Sequence, residues 1–144
     1  MDHKLQYKED NRVYYDHASD VDRNVIAVTG ACLLVKKEVF DEIGGFDESL
    51  AVAFNDVDLC FRLYESGYHN AVCNNTHLWH YESLSRGLDL EGENAKRYED
   101  ESEHFRTKWK EVLDKGDPYY NPNFSLDRSD YSLNVEGYSS LRDK

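Results

Sequence analysis

The chain has 144 residues, which suffices for one compact domain or for one part of a larger domain. Its 17 basic and 29 acidic residues give a net charge of −12, which disfavours nucleic acid and anionic membrane surfaces as partners. The apolar content of 40% excludes a wholly disordered chain, and no apolar run approaches the roughly 18 residues of a membrane-spanning helix. These features predict a soluble, folded protein without direct membrane insertion.

The first part of the chain predicts a polar lead-in, a strand and a short helix. Residues 1–23 have no hydrophobic period, so we interpret them as a lead-in rather than as the first strand of a complete α/β domain. Residues 24–35 are rich in β-branched and small apolar side chains, which predicts a buried strand interrupted near Gly30. Residues 36–43 predict a short helix that ends at the glycine pair 44–45.

The clearest predicted element is a helix that follows a loop over residues 46–53. Asn55 is of the type that caps a helix, and Gly67 is of the type that ends one. Between them, apolar side chains recur at i, i+3, i+4 and i+7, which is typical of a helix packed on a core: Val57, Cys60, Phe61 and Tyr64.

The last part of the chain predicts two strands, a helix and an arm. Residues 70–73 and 77–81 predict short strands around a turn at residues 74–75. Residues 92–113 predict a longer helix, because apolar side chains share one face among charged residues. Residues 117–144 contain both prolines and no period, which predicts an extended arm that lies over another surface.

The cysteines indicate a reducing compartment. They are odd in number, form no CxxC pair, and lie in apolar stretches: Cys32, Cys60 and Cys73. We expect all three to be reduced and buried, which predicts a cytoplasmic location and no zinc site.

Two aspartates in the first turn of the predicted helix form the first candidate site. The partial positive charge at a helix N-terminus favours an ionised carboxylate, and such a carboxylate can act as a general base. Asp56 and Asp58 point about 200° apart on a helix, so we expect one to face a cleft and the other to face a structural partner. From these residues alone, the alternative is that both only stabilise the helix.

A second candidate site lies in residues 77–87, which read HLWHYESLSRG. A neutral histidine can bind a divalent metal ion, and the fork of Arg86 matches the oxygens of a phosphate. On a strand His77 and His80 would point to opposite faces, so at most one enters a given site. The alternative is a packed histidine and a surface arginine.

Taken in order, VTGACLLVKKEVFDEIGGFDESLAVAFNDVDLCFRL, HYESLSRG and DPYYNPN resemble the C-terminal half of family 2 glycosyltransferases of the GT-A fold. The similarity is greatest to bacterial enzymes that build O-antigen and other cell-surface polysaccharides, and it spans residues 24–133. The resemblance implies an α/β fold class: the acceptor-side portion of a GT-A domain, with a small mixed sheet and packed helices, over residues 24–116.

The resemblance assigns roles to the candidate residues. In such enzymes the aspartate of an acidic or Asn-Asp pair removes the proton of the acceptor hydroxyl, and the matching residue is Asp56, after Asn55. Asp58 becomes an acceptor-orienting group or a support behind the base. The floor of the acceptor site corresponds to three residues of the predicted strand: Thr29, Gly30 and Ala31. The segment IGGFDE becomes the loop above that site.

The resemblance also implies a donor side. His80 matches a histidine that binds the divalent metal or the diphosphate, and Arg86 would contact the leaving diphosphate. The cofactor implied is Mg²⁺ or Mn²⁺ in the intact enzyme. The nucleotide-binding N-terminal half, with its metal-binding DxD, has no equivalent before residue 24, because the string at 20–22 follows no hydrophobic strand.

The sequence therefore predicts part of an inverting glycosyltransferase that uses a nucleotide-sugar donor and a glycan acceptor. We expect the chain alone to be inactive and to work in the cytoplasm, including the inner face of the membrane. The main alternative is a non-catalytic carbohydrate-binding or scaffold module with the same half-fold. A small metal-dependent hydrolase that uses Asp56, Asp58 and His80 is a further alternative. The sequence leaves the donor, the linkage and the oligomeric state open.

Overall fold

The computed structural model describes residues 4, 5, 8, 20–76, 78–80 and 92–134. In these residues the chain is mixed α/β, as predicted. The elements in chain order are β1 (Arg23–Val25), a 3-10 turn (Gly30–Cys32), α1 (Lys37–Glu42), α2 (Asn55–Glu65), β2 (Asn70–Val72), α3 (Gly92–Lys108) and α4 (Lys110–Lys115). No helix in this part of the chain is long and apolar enough to cross a membrane.

The sheet consists of β1 and β2, which pair antiparallel with Arg23 opposite Val72. The predicted strand over residues 24–35 is wrong beyond Val25. The chain leaves the sheet there, makes the 3-10 turn, and continues to Leu34, whose surface is 99% exposed. The backbone N–H of Gly30 binds a carboxylate and that of Ala31 binds a hydroxyl, so neither is used in a strand ladder.

The predicted hairpin around residues 74–75 is also wrong. β2 pairs with the distant β1, and residues 78–80 form no strand, while residues 77 and 81 lie outside the described residues. Asp22 accepts a hydrogen bond from the backbone N–H of Asn74 at 2.8 Å and another from the side chain of Asn75 at 3.1 Å. The two asparagines therefore bind the segment before β1 instead of forming a hairpin turn.

The predictions for α1 and α2 hold, apart from one cap. α1 ends at Glu42, just before Gly44 and Gly45, whose φ angles of 85° and 71° are favourable for glycine. The predicted apolar face of α2 is buried or packed against the core. Asn55 is not the cap: it is the first helical residue, and the preceding Phe54 has left-handed φ and ψ of 62° and 3°.

In the hydrophobic core, α2 packs against α3 and against Trp109, which follows α3. Phe105 and Trp109 pack on Phe61, with ring centroids 5.6 Å and 5.2 Å away. The buried cluster is Ile26, Leu50, Phe61, Phe105 and Trp109. The predicted helix over residues 92–113 exists, but it is divided at Trp109 into α3 and α4.

The predicted C-terminal arm is described only to residue 134, and this part is not extended. Phe124 forms an isolated antiparallel bridge with Leu133, so the chain turns back on itself. The rings of Tyr120 and Tyr131 pack around Phe124 at 5.9 Å and 6.0 Å. At the start of this segment, the Tyr119 hydroxyl lies 2.8 Å from Nδ1 of His69, the residue before β2.

The three free cysteines differ in exposure, which corrects the prediction that all are buried. Cys60 is buried in α2, whereas Cys32 and Cys73 are exposed. Burial raises the pKa of the Cys60 thiol, and a protonated thiol is a poor nucleophile. We expect a maleimide at neutral pH to label Cys32 and Cys73 in the folded chain and Cys60 only after unfolding. Mass spectrometry of the adducts would measure this, and rapid native labelling of Cys60 would contradict the burial.

Candidate functional site

Asp56 lies at the start of α2 and contacts the turn after β1. Its Oδ2 accepts a hydrogen bond from the backbone N–H of Gly30 at 2.6 Å. Its Oδ1 accepts from the backbone N–H of Val57 at 2.8 Å. The side chain is partly exposed. A carboxylate held by two backbone donors keeps one orientation, and its oxygens have the capacity to accept further hydrogen bonds.

Gly30 is required by the close approach of Asp56. A Cβ atom built on Gly30 would lie 3.1 Å from Cβ and 3.3 Å from Oδ2 of Asp56. The adjacent Thr29 begins the 3-10 turn, and its hydroxyl accepts from the backbone N–H of Ala31 at 3.3 Å. All three predicted acceptor-site residues are exposed, and the middle one, Gly30, contacts Asp56. Their contact with an acceptor stays a prediction.

Asp58 faces the opposite side of α2, as its spacing from Asp56 predicts. The residue is fully buried. Oδ2 accepts from Nε of Arg62 at 2.8 Å, while Oδ1 accepts from the indole N–H of Trp109 at 2.8 Å and lies 2.6 Å from Nζ of Lys108. Asp58 therefore has structural partners, and it can influence an acceptor only through the residues that it holds.

The partners of Asp58 extend to the glycine turn after α1. Arg62 also donates to the carbonyl of Ile43 at 2.7 Å and to that of Gly45 at 2.5 Å. Lys108 forms a second ion pair, at 2.7 Å, with Asp47. The predicted loop IGGFDE is thus tied to the buried side of α2.

The Asp47–Lys108 pair makes stability depend on pH. Hydrogen bonds from Lys108 and Ser49 hold the pKa of Asp47 well below its ordinary value of 3.8. A carboxyl whose pKa is lowered on folding stabilises the fold above its unfolded pKa, and this contribution is lost as the pH falls toward the folded pKa. Burial opposes the charge of Lys108, but its hydrogen bonds to Asp47 and Asp58 raise its pKa overall.

We expect Asp47→Asn to lower the free energy of unfolding at pH 6 and to have a smaller effect as the pH is lowered through 4 toward 2. The reason is that only the ionised carboxylate of Asp47 gives the wild type its extra free energy of unfolding, and acid protonates this carboxylate. Urea unfolding of both proteins across this range would measure it. A difference that stays constant or grows with acid would contradict the assignment.

A further contact of α3 involves the loop before α2. Glu101, which is buried, accepts a hydrogen bond from the backbone N–H of Ala53 at 2.5 Å. The ring of the next residue, Phe54, stacks on Phe105 with centroids 5.0 Å apart. α3 therefore fixes the backbone two to three residues before Asp56.

The predicted donor-side residues are not brought together with Asp56 by any described contact. His80 is exposed, and Arg86 lies outside the described residues. Among the residues that the structure describes, no three histidine, cysteine or acidic side chains are arranged to hold a metal ion. The roles of His80 as a metal ligand and of Arg86 as a diphosphate contact therefore stay predictions.

Sequence reasoning missed five residues of this region. The i,i+4 spacing of Asp58 and Arg62 is a signal that could have identified one of them. No local signal marks the others, since their partners are distant in sequence: Phe54, Glu101, Lys108 and Trp109.

No protein-family model matches the chain, and neither does any solved structure. The chain is 44% identical over 112 residues to an uncharacterised protein of Sinorhizobium fredii, covering 77% of this chain and 12% of that protein. It is 40% identical over 111 residues to the O-antigen biosynthesis protein RfbC of Myxococcus xanthus, covering 77% of this chain and 8% of that protein.

A shorter match is to the N-acetylglucosaminyl-diphospho-decaprenol L-rhamnosyltransferase of Mycobacterium tuberculosis. The identity is 35% over 68 residues, which cover 47% of this chain and 22% of that enzyme. The chain thus spans about a tenth of the length of the first two relatives and about a fifth of the third. At the level of family resemblance, these names relate the chain to glycosyltransferases of polysaccharide synthesis.

Proposed function

We propose that this chain is the acceptor-side part of an inverting, family 2 glycosyltransferase of the GT-A fold, which transfers a sugar from a nucleotide-sugar donor to a glycan acceptor in cell-surface polysaccharide synthesis. The observation that carries the proposal is the partly exposed carboxylate of Asp56, held at the start of α2 by the N–H of Gly30. The relatives named for O-antigen biosynthesis and rhamnosyl transfer support the reaction class.

In the proposed reaction, Asp56 takes the proton of an acceptor hydroxyl as its oxygen attacks the anomeric carbon. A new C–O bond forms there while the bond from that carbon to the nucleoside diphosphate breaks, and the diphosphate leaves with the bonding electron pair. Attack from the face opposite the leaving group inverts the anomeric configuration. Because both carboxylate oxygens are fixed by backbone N–H groups, the base is already oriented before the acceptor binds.

The acceptor side of this proposal includes Thr29, Gly30 and Ala31, since they are exposed beside Asp56. The donor side includes His80 and Arg86, together with a nucleotide-binding part that supplies Mg²⁺ or Mn²⁺. A divalent ion there would neutralise the charge of the departing diphosphate. We place the reaction in the cytoplasm, where nucleotide sugars are made.

The test is a transfer assay on the protein as its gene encodes it. A panel of nucleotide sugars is supplied with lipid-linked or free oligosaccharide acceptors, and the product linkage is read by NMR. We expect one donor to be used with inversion of its anomeric carbon. Retention of configuration would reject the mechanism, and glycan binding without transfer from any donor would favour the carbohydrate-binding module.

A second measurement tests whether this chain binds the nucleotide of the donor. Calorimetry of this 144-residue chain with UDP, GDP or dTDP and Mn²⁺ should show little or no heat of binding. Micromolar affinity would contradict the proposal that the nucleotide is held elsewhere.

A further inference from the structure

The backbone just before α2 is held in a conformation that its residue does not favour. Phe54 has φ 62° and ψ 3°, in the left-handed region. For a bulky residue without a glycine's freedom this conformation is unfavourable, and it persists only where neighbouring groups impose it. The carbonyl of Phe54 accepts the first hydrogen bond of α2, from the N–H of Asp58 at 2.8 Å. The strained residue therefore sets where α2 begins.

Three side chains of α3 impose this conformation. Glu101 is 6% exposed, and its carboxylate accepts from the N–H of Ala53 at 2.5 Å. A hydrogen bond from an N–H to an ionised acceptor is stronger than one between neutral groups. Phe105 and Tyr98 contact the Phe54 ring, with centroids at 5.0 Å and 5.6 Å. The hydrogen bond fixes the peptide before Phe54, and the two rings fix its side chain.

The start of α2 determines the direction of Asp56, its second residue. The carboxylate reaches the Gly30 N–H at 2.6 Å, and a Cβ at Gly30 would already be too close at 3.1 Å. This fit leaves little room for a change in the direction of the side chain. A shift of about 1 Å in a catalytic group is enough to lower a rate by about 10²-fold.

We propose that Glu101 is a positioning residue for the base: its hydrogen bond to Ala53 imposes the left-handed turn at Phe54 and so aims Asp56 at the acceptor. This inference rests on the proposed function of Asp56. Glu101 itself touches neither reactant. Its Oε2 accepts the hydrogen bond from the backbone N–H of Ala53, while its Oε1 lies 4.0 Å from Nε of Arg97 on the same helix.

The test compares Glu101→Ala with Glu101→Gln in the protein as its gene encodes it, with Glu103→Ala as the control on an exposed position of the same helix. Alanine removes the acceptor, whereas the glutamine amide oxygen can still accept from Ala53. We expect Glu101→Ala to lower kcat by about 10²-fold with an unchanged KM for the donor. Glu101→Gln should restore most of kcat, and Glu103→Ala should match the wild type.

Hydrogen exchange of the Ala53 amide gives a readout that does not depend on activity. Its protection should be lost in Glu101→Ala and kept in Glu101→Gln. Equal losses of kcat in the two variants would overturn the inference, as would a loss in Glu101→Ala that only follows a smaller folded fraction. Asp56→Asn is measured alongside. If Asp56→Asn lowers turnover strongly while Glu101→Ala does not, the positioning role of Glu101 is rejected and Asp56 remains the base. If Asp56→Asn transfers sugar at the normal rate, both roles are rejected.

Discussion

Replacing Asp56 by asparagine is expected to lower the turnover of sugar transfer by about 10²- to 10⁴-fold, which is the usual contribution of a positioned general base. Asparagine has the same shape but cannot take the acceptor proton. Affinity for the donor should stay near normal, because no described contact of Asp56 belongs to a donor site. The measurement is steady-state kinetics, with donor binding followed separately by isothermal calorimetry.

Two controls make this result specific to proton transfer. Asparagine offers one oxygen where aspartate offers two, so one of the N–H groups of Gly30 and Val57 loses an acceptor. The thermal midpoint of Asp56→Asn must therefore be measured, and it should fall only slightly. Asp114→Asn removes an exposed carboxylate of α4 and should leave turnover unchanged. Turnover within threefold of wild type in Asp56→Asn would reject Asp56 as the base.

The second large effect is expected at Asp58, whose replacement by alanine should lower the free energy of unfolding by about 3–5 kcal/mol. Removing the carboxylate takes away the ion-pair partner of Arg62 and one of the two ion-pair partners of Lys108, and it leaves the indole N–H of Trp109 without its acceptor. Breaking a buried pair from one side is costly because the remaining groups lose part of the charge and hydrogen bonding that offset their burial. Urea unfolding followed by circular dichroism measures the change.

The matched control is Asp41→Ala. Asp41 pairs with Lys37 at the same i,i+4 spacing as Asp58 and Arg62, but both side chains are largely exposed. Exposed pairs contribute little, so this variant should unfold close to the wild type. A loss at Asp58 below about 1 kcal/mol, the range of exposed pairs, would show that the buried network does not stabilise the fold.

The local patterns predicted the helices well. The apolar period of α2 and its end near Gly67 are confirmed, because a helix buries one face at a fixed spacing and glycine adopts the positive φ that ends it. The opposite directions of Asp56 and Asp58 follow from the same helical geometry. The N–H of Gly30 contacts Asp56, while an acceptor-binding role for residues 29–31 stays a prediction.

The strand predictions were less successful, since a strand needs a partner that local pattern does not specify. The apolar segment 24–35 has strand composition, yet only its first residues find a partner in β2. Beyond them, Thr29 and Asp56 take the backbone N–H groups of residues 31 and 30. Cys32 and Cys73 were predicted to be buried because they lie in apolar stretches of the sequence, but both are exposed.

The acidic start of α2, its apolar face and the opposed directions of its two aspartates were all predictable from the sequence, because they depend on spacing within one helix. The tertiary structure brings Asp56 to Gly30 and buries Asp58 among Arg62, Lys108 and Trp109. It also decided the left-handed turn at Phe54, which α3 imposes from about 50 residues away. Contacts between distant segments depend on how the helices pack, and no local period carries that information.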